Sequence, residues 1–129
     1  MQYKNPIIIA EIGCNHKGDL KTAKKMIQTA AMCGVKYAKF QKRDNKYLLG
    51  NKFNLPHPVQ ENSYGKTYGL HREFLEFNFK EHYELYMCCK KNKISYSTSL
   101  WEKKSAENFL KTKIKCDFCD RCLFWDKKV

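Results

Sequence analysis

Glu11, Asn15 and His16 lie within one short stretch, Ile7-Ile8-Ile9-Ala10-Glu11-Ile12-Gly13-Cys14-Asn15-His16-Lys17-Gly18-Asp19, and Lys39 and Gln41 follow in Tyr37-Ala38-Lys39-Phe40-Gln41. Each stretch begins as an apolar run and finishes on groups able to handle protons or ions. Glu11 reads in two ways, as a partly buried strand-end carboxylate satisfied by backbone amides or as a carboxylate that handles a proton. Lys39 also has two readings. It is a rim lysine with a solvated head, or it points inward, where an ammonium must meet an anion to be tolerated. Asn15 and His16 could shape the loop through local backbone hydrogen bonds, and His16 suits an orienting role better than a metal-ligating one. Thr98, in Ser97-Thr98-Ser99, is a β-branched strand residue or a further ligand contact.

Groups of this kind need strands that end together. The continuous apolar run Ile7 to Ala10 suits a strand covered on both faces, as in parallel sheets. Asp19 offers an N-cap to a helix from Leu20 to Cys33, whose apolar stripe is Leu20, Ala23, Met26, Ile27, Ala30 and Ala31. Gly34 ends it, and Val35 to Phe40 completes a βαβ unit. From Gln41 to about Phe74 periodicity fades among Asn, Pro and Gly, which reads as a long functional or disordered loop. A helix over Lys80 to Asn92 follows, packed through Tyr83, Tyr86 and Met87 with Cys89 or the Lys90 methylenes beside them, and with His82 on its surface. Ile94 to Ser97 reads as a third strand ending on Thr98, and Glu102 to Leu110 as a helix with Ala106, Phe109 and Leu110 inward. The order β-α-β-loop-α-β-α predicts an α/β fold with right-handed crossovers. Successive strands that finish on reactive side chains are how a (β/α)8 barrel gathers an active site at one rim.

The chain has 129 residues, about half of the ~250 of a complete barrel, so the expectation is an incomplete TIM barrel of three βα units. Open sheet edges and an uncovered inner face then predict weak stability or aggregation. The formal charge of +12 invites a polyanion or nucleic-acid reading. Against it, the lysines are scattered, with Lys21, Lys24 and Lys25 opposite the apolar stripe of the first helix, so solvated faces explain them. No apolar run approaches the ~20 residues of a membrane span, and no signal peptide is evident, which reads as a cytoplasmic chain. Seven cysteines without scaffold spacing argue against disulfides, and Cys33, Cys88 and Cys89 read as small hydrophobes in helices.

The block Ala10-Glu11-Ile12-Gly13-x-Asn15-His16-x-Gly18-Asp19-Leu20, followed by Lys39-Phe40-Gln41, resembles the N-acetylneuraminate (sialic acid) synthase family, including legionaminic and pseudaminic acid synthases. The likeness covers roughly residues 5 to 110. It implies condensation of phosphoenolpyruvate with an N-acetylhexosamine such as N-acetylmannosamine, assisted by Mn2+ or Mg2+ as a Lewis acid, in a homodimer. It further implies Glu11 and Gln41 as catalytic and Asn15, His16, Lys39 and Thr98 as substrate-binding, with Lys39 on the phosphate or carboxylate of phosphoenolpyruvate. The family's metal-binding histidines have no match here, and His57, His71 and His82 do not replace them.

Residues 1–110 therefore read as the start of the barrel, and 111–129 as an aberrant Cys- and Lys-rich tail of the sort a frameshift or early stop leaves. A fourth strand is not expected in it. Its Cys116, Cys119 and Cys122 have the spacing of part of a metal site but no fourth ligand.

Overall fold

The computed structural model describes residues 6–116 and the backbone of 119–120. The elements run β1 (Ile9–Gly13), α1 (Leu20–Met32), β2 (Tyr37–Lys42), α2 (Asn45–Leu49), α3 (Tyr68–Phe74), α4 (Phe79–Lys91), β3 (Ser95–Leu100), α5 (Lys103–Leu110) and β4 (Cys119–Asp120). All pairings are parallel, in the order β1-β2-β3-β4. The α/β class and the three βα units of a barrel are as expected. The two residues of β4 beside Thr98 and Ser99 supply a fourth strand that the sequence reading did not anticipate.

Local chemistry accounts for the helix boundaries. The Asp19 carboxylate accepts from the amides of Lys21 and Thr22, at 3.3 and 2.8 Å, and starts α1. Ala23, Ile27 and Ala30 then recur at helical spacing on its buried face. Gly34 follows the helix at φ +73°, a conformation that costs glycine little. In α4, Asn78 and Glu81 form a reciprocal capping box: Asn78 Oδ1 accepts from the Glu81 amide and Glu81 Oε2 from the Asn78 amide.

Strand alternation divides the sheet into two faces. Residues in register on neighbouring parallel strands share a face. Ala38, Phe40, Tyr96 and Leu100 turn to the helices and meet Ile27, Leu85, Cys89 and Phe109 in the core. The opposite face carries Glu11, Lys39, Gln41, Ser97 and Ser99.

Several expectations are corrected. Strand β1 begins at Ile9, later than expected, and Ile7 and Ile8 are exposed, because β1 is an edge strand of the sheet. The stretch 41–74 holds α2, α3 and two 3-10 turns, Gly50–Asn54 and Gln60–Asn62, which lack the long periodicity that announces a helix in sequence. On α4 the buried residues are His82, Leu85 and Cys89, while Tyr83 and Met87 are exposed. The helix is thus rotated from the expected stripe, and His82 is interior rather than on the surface. Leu110 and Cys33 are exposed, both at helix ends where the packed stripe turns away. No helix among the described residues is long and apolar enough to cross a membrane.

Candidate functional site at the strand ends

Strand β1 delivers Glu11 and strand β2 delivers Lys39 as direct register partners. Their side chains meet: Lys39 Nζ donates to Glu11 Oε2 at 2.8 Å, the lysine side chain 14% exposed and the carboxylate 50%. The anion that an inward lysine requires is therefore supplied from the same rim. Glu11 is more open to solvent than a satisfied interior carboxylate, which leaves its second oxygen accessible to a bound molecule.

Gln41 lies two residues further along the same face. A Cβ added at Gly13 would lie 3.6 Å from Gln41 Nε2 and 3.8 Å from Glu11 Oε1, so the missing side chain leaves room where the amide and the carboxylate approach each other. Gly13 itself adopts φ +56°, which favours glycine. Just before it, Ile12 is extra to the ladder: Glu11 pairs with Lys39 and Gly13 with Phe40. This bulge lets Ile12 drop into the core while Glu11 stays on the open face.

Asn15 and His16 do something different. Asn15 is exposed and turns its Nδ2 back to the Ile12 carbonyl at 2.9 Å, closing the end of β1. His16 is buried, stacks on Phe77 at 4.1 Å between ring centroids, and accepts from the Gly18 amide through Nδ1. Burial lowers its pKa and favours the neutral ring. Both fix the loop that Glu11 emerges from.

Thr98 is in register with Phe40 and so belongs to the helix-packed face, fully buried, with its Oγ1 unpartnered among the described residues. It does not share the rim with Glu11, Lys39 and Gln41. Ser97 and Ser99, the register partners of Lys39 and Gln41, do. Sequence reasoning passed over them in favour of Thr98, although strand alternation from Lys39 and Gln41 would have selected them once the pairing was known.

Behind the rim runs a second polar layer. Lys42 Nζ and the Arg43 amide both donate to Glu76 Oε1 at 2.9 Å, and Glu76 is nearly buried. Burial pushes its pKa up to about 7, with Lys42 and Arg72 pulling the other way. Cys14 links this layer to the rim, its Sγ lying 3.9 Å from Gln41 Oε1, 3.9 Å from Arg43 Nη1 and 3.7 Å from Arg72 Nη2.

Among the described residues no three His, Cys, Asp or Glu side chains come together as a metal centre. Glu11 is engaged by Lys39 at 2.8 Å. These residues do not by themselves fit a divalent ion. Of the tail cysteines, Cys116 is half-buried and lies 3.6 Å from the Tyr96 carbonyl, and Cys122 lies outside the described residues.

The same pattern occurs in known proteins. The chain is 46% identical over 83 residues to the N-acetylneuraminate-9-phosphate synthase of Mus musculus, covering 64% of this chain and 23% of that protein. It is 38% identical over 100 residues to the enzyme of that name from Drosophila melanogaster, covering 78% and 27%. It is 32% identical over 105 residues to the N,N'-diacetyllegionaminic acid synthase of Campylobacter jejuni, covering 81% and 31%. It thus spans about a quarter to a third of the length of these relatives. A crystal structure of the N-acetylneuraminic acid synthetase of Leptospira borgpetersenii, in complex with citrate, superposes with a TM-score of 0.66 at 25% identity, covering 92% of this chain and 39% of that one. The model of the NeuB family matches residues 26–118, which include Lys39 and Gln41 and reach the segment that leads into β4. With one family match over most of its length and a parallel sheet that ends on Glu11, Lys39 and Gln41, the chain belongs to the NeuB family.

Proposed function

We propose that this chain carries the first part of a synthase that condenses phosphoenolpyruvate with an N-acetylhexosamine, such as N-acetylmannosamine, to give a nonulosonic acid and phosphate. In that reaction the C2–C3 π pair of phosphoenolpyruvate forms the new bond to the aldehyde carbon. The aldehyde oxygen takes up a proton, water adds at C2, and the C2–O bond to phosphate breaks. Lys39 is the group to hold the phosphate or carboxylate of phosphoenolpyruvate, being the rim cation on the open face. Glu11 and Gln41 face the acceptor sugar, the carboxylate placed to move a proton and the amide to orient a hydroxyl. Asn15 and His16 act by fixing the Glu11 loop.

The single observation that carries this reading is the Glu11–Lys39 pair at 2.8 Å, with Gln41 beside it, at the C-terminal ends of adjacent parallel strands. The polyanion-binding alternative is not favoured, since the chain matches the NeuB family and its similar relatives are sugar-acid synthases.

Calorimetric titration with phosphoenolpyruvate tests the reading. Binding by the wild-type chain is expected to weaken at least tenfold in Lys39→Met, the loss of one charge-assisted contact. Equal affinity in the two proteins rejects the assignment.

A further inference from the structure

Strand β2 loses one of its neighbours before it ends. Among the described residues its ladder with β1 runs from Tyr37 to Phe40, whereas its ladder with β3 continues through Gln41 and Lys42. Gln41 therefore projects from a strand end that is paired on one side, with Lys39 two residues before it. Two carboxylates hold this end. The Arg43 amide donates to Glu76 Oε1 at 2.9 Å, and the next amide, that of Asp44, donates to Glu102 Oε2 at 3.1 Å. Glu76 Oε1 also accepts from Lys42 Nζ, and both of those side chains are nearly buried. A buried ion pair is a weak source of stability, because a well-packed apolar pair of similar volume does as well without the desolvation cost. What an apolar pair could not supply is the acceptor for the backbone that follows β2.

Glu76 belongs to the connection between α3 and α4, and the residue after it fastens the other strand. Phe77 is 3% exposed and stacks on His16 at 4.1 Å between ring centroids. His16 in turn accepts the Gly18 amide within the loop that follows β1. Leu75 is buried and Asn78 caps α4, so the connection is itself anchored at both ends. One short segment thus grips the end of β2 through Glu76 and the loop after Glu11 through Phe77. We propose that Glu76 and Phe77 are positioning residues of the rim, which set the approach of Lys39 and Gln41 to Glu11 by tying both strand ends to one segment. That this approach matters for phosphoenolpyruvate rests on the function proposed above, whereas the tie rests on the contacts alone. A bound molecule gripped by several groups is sensitive to displacements well under 1 Å in any of them.

The test compares the full wild-type chain with Glu76→Gln, Phe77→Leu and the double variant Lys42→Met with Glu76→Met. The double variant removes both buried charges together and leaves the Arg43 amide without its acceptor, whereas Glu76→Gln keeps an oxygen for it. Phosphoenolpyruvate affinity is read by calorimetric titration. The placement of Lys39 is read separately, as its rate of acetylation by N-hydroxysuccinimidyl acetate mapped by mass spectrometry. Lys24, paired with Glu84 between α1 and α4, is the reference. The double variant and Phe77→Leu are each expected to weaken phosphoenolpyruvate binding about fivefold or more and to raise Lys39 acetylation severalfold. Lys24 should not change, and Glu76→Gln should stay close to wild type. Wild-type affinity or a wild-type Lys39 rate in either variant overturns the proposal. A parallel rise at Lys24 also overturns it, since that marks general loosening of the fold. A loss in Glu76→Gln as large as in the double variant does the same, because the effect would then belong to charge and not to the backbone contact. Should the double variant or Phe77→Leu not fold, Glu76→Asp, which keeps the charge and draws the acceptor back by one methylene, carries the same expectations. A wild type that does not bind phosphoenolpyruvate, with the Lys39 rates as expected, would sink the proposed function and leave the tie standing. Binding by the wild type with unchanged Lys39 rates in the variants would do the reverse.

Discussion

Lys39 is held by Glu11 at 2.8 Å, so any anion that reaches this lysine competes with a carboxylate already in place. Glu11→Gln removes the competitor and a like charge at once, and is expected to tighten phosphoenolpyruvate binding several-fold while abolishing the proposed proton-handling role, as calorimetry and single-turnover phosphate release would show. A second residue-scale consequence concerns pH. Glu76 has its pKa raised from 4.5 to about 7, chiefly by burial, so the folded chain binds this proton more tightly than the unfolded one. Its contribution to stability is therefore complete below pH 4.5 and is lost as pH rises to about 7. His82, which meets the Tyr96 hydroxyl at 2.7 Å, is lowered from 6.5 to about 3 by burial, and its contribution is present above pH 6.5 and lost as pH falls toward 3. Between pH 4.5 and 6.5 the two slopes oppose each other. Glu76→Gln, measured by urea unfolding across this window, is expected to gain stability relative to wild type with rising pH by up to about 1.4 kcal/mol per unit. That Glu11, Lys39 and Gln41 lie together at one end of the sheet was legible in sequence because each stands where an apolar run ends. The buried roles of His82 and Glu76 were not, since their partners Tyr96 and Lys42 are distant in the chain.

At the scale of elements, the turn between β1 and α1 rests on glycine for reasons of space. Gly18 has φ +73°, and a Cβ there would collide with the Phe74 carbonyl oxygen at the end of α3. Gly34 has the same φ with open space around it. Gly34→Ala is therefore expected to cost about 1 kcal/mol from backbone strain alone, whereas Gly18→Ala adds a steric clash and should cost at least about 2 kcal/mol more, both by thermal or urea unfolding. Helix α1 and its cap were readable because the stripe and Asp19 are both local signals. The orientation of α4 was legible only at Tyr86 and Cys89, because Tyr83 and Met87 are as apolar as the residues that are buried, and only packing against β3 selects Leu85. The short helices α2 and α3 escaped notice for a related reason. They begin on single side-chain caps, Asp44 and Thr67, and are too short to show a stripe.

The molecule as a whole presents β1 at the edge of the sheet, with Ile7 and Ile8 leading into it at 67% and 58% exposure. An edge with no strand partner among the described residues, beside exposed isoleucines, is a template for association. Ile7→Lys with Ile8→Lys is expected to lower concentration-dependent self-association in sedimentation velocity, with little change in the far-ultraviolet dichroism of the helices. The α/β class was legible from the alternation of elements, while the place of Cys119–Asp120 beside β3 was hidden, since two residues carry no periodicity. The order of the strands in the sheet is also their order along the chain. Among the described strands, each one after the first therefore meets a partner that has already left the ribosome. Such a sheet can grow by one edge during translation, each new strand covering the edge that the previous one exposed.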